Sequence, residues 1–448
     1  MMDRRIEDNI RSWVRRPANR PLLVRGARRV GKTHSVERVG REIAGDAFVK
    51  LDFQTDLELV SRLFDGPTDD VDGIVSRIAA YKRVRLDRSR AFIMFDEVQL
   101  CERALNSLRF FSGSGWRVAA TGSQLGVDTK RRRLPFPSGV EQIAMHPMDF
   151  EEFLWATGNT VAGPAIRQAF ESATAFPDSV HRQMMRDFRT YLAVGGMPQA
   201  VAPFVQGATF SQIDFAKRAI LALYEEDLHK HDEHSRDRTT AAFRSIPSQL
   251  THKNSRFQYA SVDKHANAGR LRGTVDFLRE SMMVNVCYNV SDPEVSLEFF
   301  RDETAIKMFL GDTGLLVTQI TASNAQTDDT LYKSLVTGRL GINEGMVIEN
   351  AVAQALVANG HALYFHEYDY TPPETGKARR YEVDFLLVRG KRLSPLEVKS
   401  SGYRSHKSFD YFTRRYDVKV NERFILYSKN LEREGNLTFL PLYMSICL

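Results

Sequence analysis

A short glycine-rich segment near the start of the chain constrains its fold more than any other feature. Residues 24–33 read Val-Arg-Gly-Ala-Arg-Arg-Val-Gly-Lys-Thr, and they lie between an apolar, strand-like run at 21–24 and a stretch typical of a helix. The spacing of the two glycines, the lysine and the hydroxyl residue is that of G-x-x-x-x-G-K-[ST]. Glycines allow backbone N–H groups to turn inward around an anion, and the N-terminus of the following helix attracts negative charge. The segment therefore predicts a strand–loop–helix unit that binds phosphate groups.

We predict that this loop binds ATP together with Mg²⁺. Lys32 would supply a positive charge to the β- and γ-phosphates, and the Thr33 hydroxyl would be a magnesium ligand. A chance match in an ordinary loop is the alternative, and it loses weight because a partner motif follows. The predicted nucleotide-binding residues are Gly26, Ala27, Arg28, Arg29, Val30, Gly31, Lys32, Thr33 and His34.

The partner motif is an apolar run that ends in two acids, Phe-Ile-Met-Phe-Asp-Glu at residues 92–97. This is the form of a Walker B element, in which Asp96 would hold the magnesium through water and Glu97 would polarise the attacking water. A helix N-cap is the alternative interpretation of the two acids. A further strand-like run follows, and at its end Thr121 or Ser123 would sense the γ-phosphate, unless it is an ordinary strand followed by a turn.

These motifs resemble those of the AAA+ ATPases that carry a restriction-endonuclease-like C-terminal domain. The residues that carry the resemblance are Gly-Ala-Arg-Arg-Val-Gly-Lys-Thr at 26–33, Phe-Asp-Glu-Val-Gln at 95–99 and Thr-Gly-Ser-Gln-Leu at 121–125. It continues through residues 191–198 and 309–316, and so covers most of the chain.

Two residues of this chain can be compared with the pattern of that family. Its members usually have glutamine where this chain has Arg29, but the position is a variable one in the loop, so the phosphate-binding backbone is unaffected. In related ATPases a Gly-x-Pro element of the lid packs on the adenine, which makes Pro198 a candidate for that contact.

Acids and a lysine form a second candidate site near the end of the chain. Asp384 lies in a strand-like run at 381–388, and Glu397 follows thirteen positions later, two residues before Lys399. Because alternate residues of a strand project from the same face, Glu397 and Lys399 would be neighbours. The pattern resembles the PD-(D/E)xK nuclease signature, and Glu349, in a predicted helix, matches the additional acid of that family.

Phosphodiester cleavage requires one or two hard divalent cations held by carboxylate oxygens. The resemblance implies that Glu349, Asp384 and Glu397 are metal ligands and that Lys399 positions or activates the water. Two alternatives stay open. One is a hairpin with polar residues at its solvated end, and the other is a nuclease-like fold that binds DNA or a partner without cleaving it.

The predicted fold class is α/β, in four segments. Residues 1–150 would form an AAA+ P-loop domain with a parallel sheet, and residues 151–235 a helical lid. Residues 236–325 fit a winged-helix-like module, although another small helical lid fits as well. Residues 335–448 would form an α/β restriction-endonuclease-like domain.

The composition of the chain indicates which binding partners and which cellular compartment to expect. Between residues 1 and 41 twelve Lys or Arg face four Asp or Glu, and residues 130–133 form a second basic run. Such patches favour polyanions, although solvated surface is an equal alternative. We expect a nucleic-acid partner, with DNA the favoured form, a homo-oligomer as a further possibility, and no membrane, since no apolar run approaches the roughly 18 residues of a membrane span. Residues 1–20 lack the apolar core of a secretory signal. The three scattered cysteines form no disulfide framework and indicate a reducing cytoplasm.

These features together predict a Mg²⁺-dependent ATPase whose nucleotide cycle controls a C-terminal nuclease-like domain acting on nucleic acid. The alternative is a nucleotide-dependent switch in which that domain is inactive and binds DNA or a partner.

Overall fold

The computed structural model describes most of the chain, in two compact units. The units are residues 1–146 with 280–282, and residues 147–279 with 283–448. The residues described are 2–16, 20–123, 128–129, 132–133, 137–232, 237–251, 256–294, 296–321, 329–339, 344–373, 376–400, 406–416, 420 and 422–448.

Helices and strands alternate in the first unit and separate into blocks in the second. The helices are α1 (Arg5–Val14), α2 (Lys32–Ala44), α3 (Leu57–Arg62), α4 (Val71–Lys82), α5 (Glu102–Phe111), α6 (Phe150–Ala156), α7 (Ala162–Glu171), α8 (Asp178–Val194), α9 (Pro198–Val205), α10 (Phe210–Asp232), α11 (Arg238–Thr251), α12 (Ala268–Glu280), α13 (Thr313–Ile320), α14 (Asp329–Val336), α15 (Glu344–Ala358) and α16 (Lys407–Tyr416). The strands are β1 (Leu22–Arg25), β2 (Phe48–Asp52), β3 (Phe92–Asp96), β4 (Arg117–Gly122), β5 (Asp128–Thr129), β6 (Arg132–Arg133), β7 (Glu141–Ala144), β8 (Val284–Val290), β9 (Arg301–Leu310), β10 (Leu363–Tyr370), β11 (Arg379–Val383), β12 (Phe385–Arg389), β13 (Arg392–Val398), β14 (Arg423–Tyr427), β15 (Glu432–Glu434) and β16 (Leu437–Pro441).

The first unit contains a parallel sheet with the strand order β2-β3-β4-β1-β7. This confirms the parallel sheet predicted from the alternating pattern. The strand β4 lies between β1 and β3, with Thr121 beside Val24 and Ala120 beside Phe95. The carboxyl ends of β1, β4 and β3 therefore meet at one edge, which is where ligands bind in open α/β sheets.

An aromatic core fills one side of this sheet. Phe53, Phe64, Phe95 and Phe111 are completely buried, and the rings of Phe64 and Phe95 meet edge to face with centroids 5.4 Å apart. Every residue of β3 is buried. A strand buried on both faces is a continuous apolar run, which explains the sequence 92–95 that precedes the two acids.

The second unit begins with the helices α6–α10 and continues into two sheets. One sheet has the order β11-β10-β8-β9, and the other β12-β13-β14-β16-β15. The first of these joins β8 and β9, from the segment predicted to resemble a winged helix, to β10 and β11 of the C-terminal segment. Residues distant in sequence thus share one backbone hydrogen-bond network.

The chain changes sheets at Asp384. The sequence predicts one strand over 381–388, and this is wrong, since β11 ends at Val383 and β12 begins at Phe385 in the other sheet. The Asp384 carboxylate accepts a hydrogen bond from the backbone N–H of Val398, at 2.7 Å. An acid that bonds to the backbone of a neighbouring strand competes with regular pairing of its own strand.

Two glycines pack backbone to backbone where α8 ends and α13 begins. A Cβ atom on Gly314 would lie 2.5 Å from the Cα of Gly195, and Gly195 itself has φ of +85°. Asp312 caps α13 by accepting the Leu315 N–H and also accepts the Gly196 N–H at 2.6 Å.

A buried lysine supports the same junction. The ammonium of Lys217 donates hydrogen bonds to the carbonyl oxygens of Ala193 (2.7 Å) and Gly314 (3.2 Å) and to the Tyr332 hydroxyl (3.0 Å). Burial lowers the pKa of Lys217 to about 8, against the opposing charge of Asp214. The junction is therefore held by hydrogen bonds to groups that have no access to water.

We expect the Gly314→Ala variant to be destabilised by about 1–3 kcal/mol, because the added methyl meets backbone atoms that no side-chain rotation can move. Urea unfolding of the full chain, followed by circular dichroism, measures the change. Gly273→Ala is the control, since a Cβ atom there meets no heavy atom within 4 Å and the residue lies in α12. An unchanged midpoint for Gly314→Ala would contradict the close packing.

Candidate functional site

The loop between β1 and α2 is shaped by two glycines. Gly31 precedes α2 with φ of +102°, a conformation that residues with a Cβ atom rarely adopt. A Cβ atom on Gly26 would lie 2.4 Å from the carbonyl oxygen of Met145. Both glycines of the predicted motif are therefore required by the backbone itself.

Lys32 points back into this loop. Its ammonium is buried and donates hydrogen bonds to the carbonyl oxygens of Gly26 (3.0 Å) and Ala27 (2.9 Å). Burial lowers the pKa of Lys32, and the carboxylates of Glu97 and Asp96 oppose that shift. Carbonyl oxygens are modest partners for a buried cation, so the lysine is poised to exchange them for an anion with full charge.

Asp96 is the centre of the polar network at the sheet edge. Its Oδ1 accepts hydrogen bonds from the hydroxyls of Thr33 (2.7 Å) and Thr121 (2.5 Å). Its Oδ2 lies 2.9 Å from the ammonium of Lys50. The loop, the central strand β4 and the edge strand β2 thus converge on one buried carboxylate.

Lys50 lies outside the sequence motifs of the nucleotide site. Burial opposes its charge, but the hydrogen bond and charge of Asp96 raise the pKa of Lys50 above its ordinary value. A lysine between Val49 and Leu51, both buried, is the sequence signal that would have found it. Such a lysine in an apolar strand needs a partner, and the adjacent strand supplies it.

Glu97 is held in an unusual backbone conformation. Its φ of +55° lies in the left-handed region, and its N–H donates to the Thr121 hydroxyl at 3.1 Å. Its Oε2 accepts hydrogen bonds from Ser123 (2.9 Å) and from Gln99 (2.6 Å). A non-glycine residue held in this region by surrounding contacts is a common feature of functional sites. Gln99 was not assigned a role from sequence, although it belongs to the quoted motif at 95–99.

Several arginines of the basic N-terminal segment form hydrogen bonds or ion pairs within the first unit. Arg4 is buried and donates hydrogen bonds to the carbonyl oxygens of Val30 and His146, both at 2.7 Å. Arg11 pairs with Glu42, and Arg38 pairs with the buried Glu7. These arginines have internal partners, so the charge excess of residues 1–41 overstates the basic surface.

The C-terminal acids converge around two lysines. Lys307 of β9 contacts the carboxylates of Glu349, at 3.1 Å, and Glu382. Lys399 lies 2.6 Å from Glu397, which is the neighbour relation predicted for residues two apart. We call Glu349, Glu382, Asp384 and Glu397, with Lys307 and Lys399, the acid cluster.

Burial and mutual repulsion perturb the acid cluster. Burial, followed by the charges of Glu397 and Glu349, raises the pKa of Asp384 to about 8. Burial also raises the pKa of Glu382 to about 7, against the opposing charge of Lys307. Burial is the chief cause of both shifts, and functional sites are enriched in acids with perturbed pKa values.

With the exception of Pro198, the predicted residues of each site lie within one unit. Glu382 and Lys307 were missed, although Glu382 stands two residues before Asp384 and Lys307 is the charged residue in the otherwise apolar, buried run 305–310 of β9. Pro198 opens α9 in the second unit, so its assignment to adenine stays a prediction. The basic run at 130–133 lies outside the residues whose side chains are described. Within the described ranges, no three His, Cys, Asp or Glu side chains are arranged to hold a metal ion.

Three family models match separate parts of the chain. The model of the AAA domain matches residues 18–154, and two domains of unknown function, DUF8612 and DUF4143, match residues 185–326 and 344–444. A comparison with curated proteins found no match. The first unit therefore contains a nucleotide-binding ATPase domain of the AAA type.

Several solved structures are similar to this chain at low sequence identity. Caenorhabditis elegans PCH-2 is 13% identical over 63% of this chain and 69% of that one, with a TM-score of 0.25. Drosophila ORC bound to DNA is 11% identical over 70% and 94%, with a TM-score of 0.27, and Cdc6p from Pyrobaculum aerophilum is 11% identical over 75% and 93%, with 0.22. Within the described part of the chain, no helix has the length and apolar character of a membrane span.

We expect Lys32→Ala to impair ATP binding and Glu97→Gln to impair ATP hydrolysis. Lys32→Ala removes the cation of the loop and should weaken ATP binding in calorimetry. Glu97→Gln keeps the loop and should retain bound ATP while turnover falls about a hundredfold, the loss expected for a positioned base. Glu102→Gln, at the exposed start of α5, is the matched control. Equal turnover in wild type and Glu97→Gln would exclude the assigned role.

Proposed function

We propose that the chain is a Mg²⁺-dependent ATPase whose nucleotide cycle controls a C-terminal nuclease-like domain that acts on nucleic acid. The observation that carries the proposal is the convergence of Asp384, Glu397 and Lys399 in a chain that also has an AAA domain. The order α15, β10, β11, β12, β13, α16 and β14 supports it, because the acid and the E-x-K element fall at neighbouring strand ends.

The nucleotide site suits a hard cation. Thr33 and Asp96 present oxygen atoms 2.7 Å apart at the sheet edge, and oxygen is the ligand that Mg²⁺ prefers. Thr33 would be a direct ligand, and Asp96 would act through water. The cation would neutralise the charge that develops on the phosphates.

The residues of this chain would handle the water and the proton. Glu97 would orient the attacking water and accept its proton, with Ser123 and Gln99 holding the carboxylate. Thr121 bonds both to Asp96 and to the backbone of Glu97, so it would link the metal side of the site to the base. Lys32 would exchange its carbonyl partners for the β- and γ-phosphates.

The acid cluster has vacant oxygen acceptors. Glu397 is buried, and its Oε2 has no hydrogen-bond partner; Oε2 of Glu382 has none either. Asp384 and Glu397 would hold a divalent cation, which supplies charge neutralisation on a bound phosphodiester. Lys399 would hold the attacking water, whose oxygen would bond to phosphorus while one P–O ester bond breaks; the water would lose a proton and the leaving oxygen would gain one.

An exposed basic surface lies along β11 and on α16. Arg380 lies on β11 two residues from Glu382 and projects from the same face, about 7 Å away along a strand at about 3.3 Å per residue. The stacked rings of Tyr370 and Tyr411, with centroids 4.8 Å apart, pack next to β11, and Tyr411 is buried. Exposed arginines and lysines bind the phosphates of a nucleic-acid strand. The exposed basic residues here are Lys377, Arg379, Arg380, Lys407, Arg414 and Arg415.

A second candidate function is a nucleotide-dependent switch in which the acid cluster binds without cleaving. The ion pairs of Lys307 and Lys399 favour it, because they already occupy the carboxylates that a metal requires. Under this alternative, Glu397→Ala preserves biological activity whereas Lys32→Ala abolishes it.

We expect the full chain with ATP and Mn²⁺ or Mg²⁺ to cleave nucleic acid, and Glu397→Ala and Lys399→Ala to slow cleavage at least about a hundredfold. Labelled single-stranded DNA, duplex DNA and RNA are the substrates. Lys391→Ala, on the exposed turn between β12 and β13, should cleave as the wild type does. If the wild-type protein leaves all three intact, the switch is the better proposal.

We expect the double variant Lys377→Glu/Arg379→Glu to bind nucleic acid more weakly and with a shallower salt dependence, because phosphate contacts are lost. Lys391→Glu/Arg433→Glu makes the same charge change at exposed positions of the other sheet and is the control. Fluorescence anisotropy with labelled DNA at several salt concentrations measures both. Equal affinities in the two double variants would place the interface elsewhere.

A further inference from the structure

Lys307 lies inside the acid cluster although it comes from another part of the chain. It is in the middle of β9, paired with Cys287 of β8, and its neighbours Ile306 and Met308 are buried. Its side chain is 9% exposed. The E-x-K pattern at 397–399 contains no counterpart of this lysine.

The position of its ammonium is closely specified. It contacts a carboxylate from α15, Glu349, and one from β11, Glu382, and it lies 5.1 Å from the centroid of the Phe365 ring. The face of an aromatic ring attracts a cation. Three elements therefore define a binding position for one positive charge.

The acid cluster has more carboxylates than ammonium groups. With its four carboxylates ionised it would carry four negative charges, and Lys307 and Lys399 balance two of them. With all four acids ionised, two negative charges would remain, and buried charge without compensation is strongly unfavourable. One divalent cation would balance them.

Asp384 and Glu397 supply the acceptors for that cation. Glu397 is 4% exposed, and its Oε2 has no hydrogen-bond partner. The Asp384 carboxylate lies next to it, because it accepts the N–H of Val398, the residue after Glu397, at 2.7 Å. Glu349, by contrast, is engaged by Lys307.

We infer that Lys307 takes the place of one cation in the acid cluster and limits the cluster to a single divalent ion, held between Asp384 and Glu397. Glu349 is then a partner of Lys307 and not a ligand of that ion. This inference deepens the proposed nuclease-like function and rests on it for the purpose of the cluster, but cation binding is measured without any nucleic acid.

The test is the number of Mn²⁺ ions bound by the full chain without nucleotide, by calorimetry and by electron paramagnetic resonance. Glu397→Gln serves as reference, so that ions bound elsewhere are subtracted. We expect one ion in the wild type, and two in Lys307→Met, which keeps an unbranched side chain, one atom shorter, but removes its charge. Lys391→Met is the matched control and should bind as the wild type does.

Each result decides the inference. Two ions in the wild type, or none, overturn it, and this measurement suffices if Lys307→Met does not fold. A single ion in folded Lys307→Met also overturns it. One cation bound to a wild-type protein that cleaves no nucleic acid would leave the inference standing and refute nuclease activity, whereas cleavage with two cations would do the reverse.

Discussion

The carboxylate of Asp96 is the charge around which the edge of the first sheet is arranged. It is buried at the end of β3, where an ion without partners would be very unfavourable, and three donors from separate elements surround it. The position of Thr33 at the start of α2, and of Thr121 between β1 and β3, follows from this requirement. The same contacts set the distance between the phosphate-binding loop and Glu97, so the position of one carboxylate determines the geometry of the whole nucleotide site.

Both sites obey one electrostatic rule, in which a lysine from outside the recognisable motif supports its acids. Lys50 does this for Asp96, and Lys307 does it for Glu349 and Glu382. In each case the lysine stands on a strand between buried neighbours. A charged residue in such a place loses its hydration, and only a close counter-charge makes its burial tolerable.

The residues whose chemistry depends on local sequence were predictable, and those whose placement depends on strand pairing were not. The spacing of Gly26, Gly31 and Lys32 already defines a strand–loop–helix unit, and the apolar strands of a parallel sheet are visible as continuous runs. Lys50 acquires its partner through the register of β2 and β3, and Lys307 through the tertiary packing of β9 near α15 and β11, which periodicity does not reveal. The break at Asp384 was missed because residues 381–388 are apolar or aromatic enough to read as one strand, while the reason for the break lies in a hydrogen bond to Val398.

The mixed sheet of the second unit has a consequence for dissecting the protein. Cutting the chain between residues 321 and 344 would separate β8 and β9 from β10 and β11, which share backbone hydrogen bonds. A C-terminal fragment made this way would expose a new sheet edge, prone to pair with other chains. It would also lose the Lys307 ammonium group, which contacts two of its carboxylates. Its inactivity or insolubility would then reflect the cut itself, and only intact protein with point substitutions can assign roles to these acids.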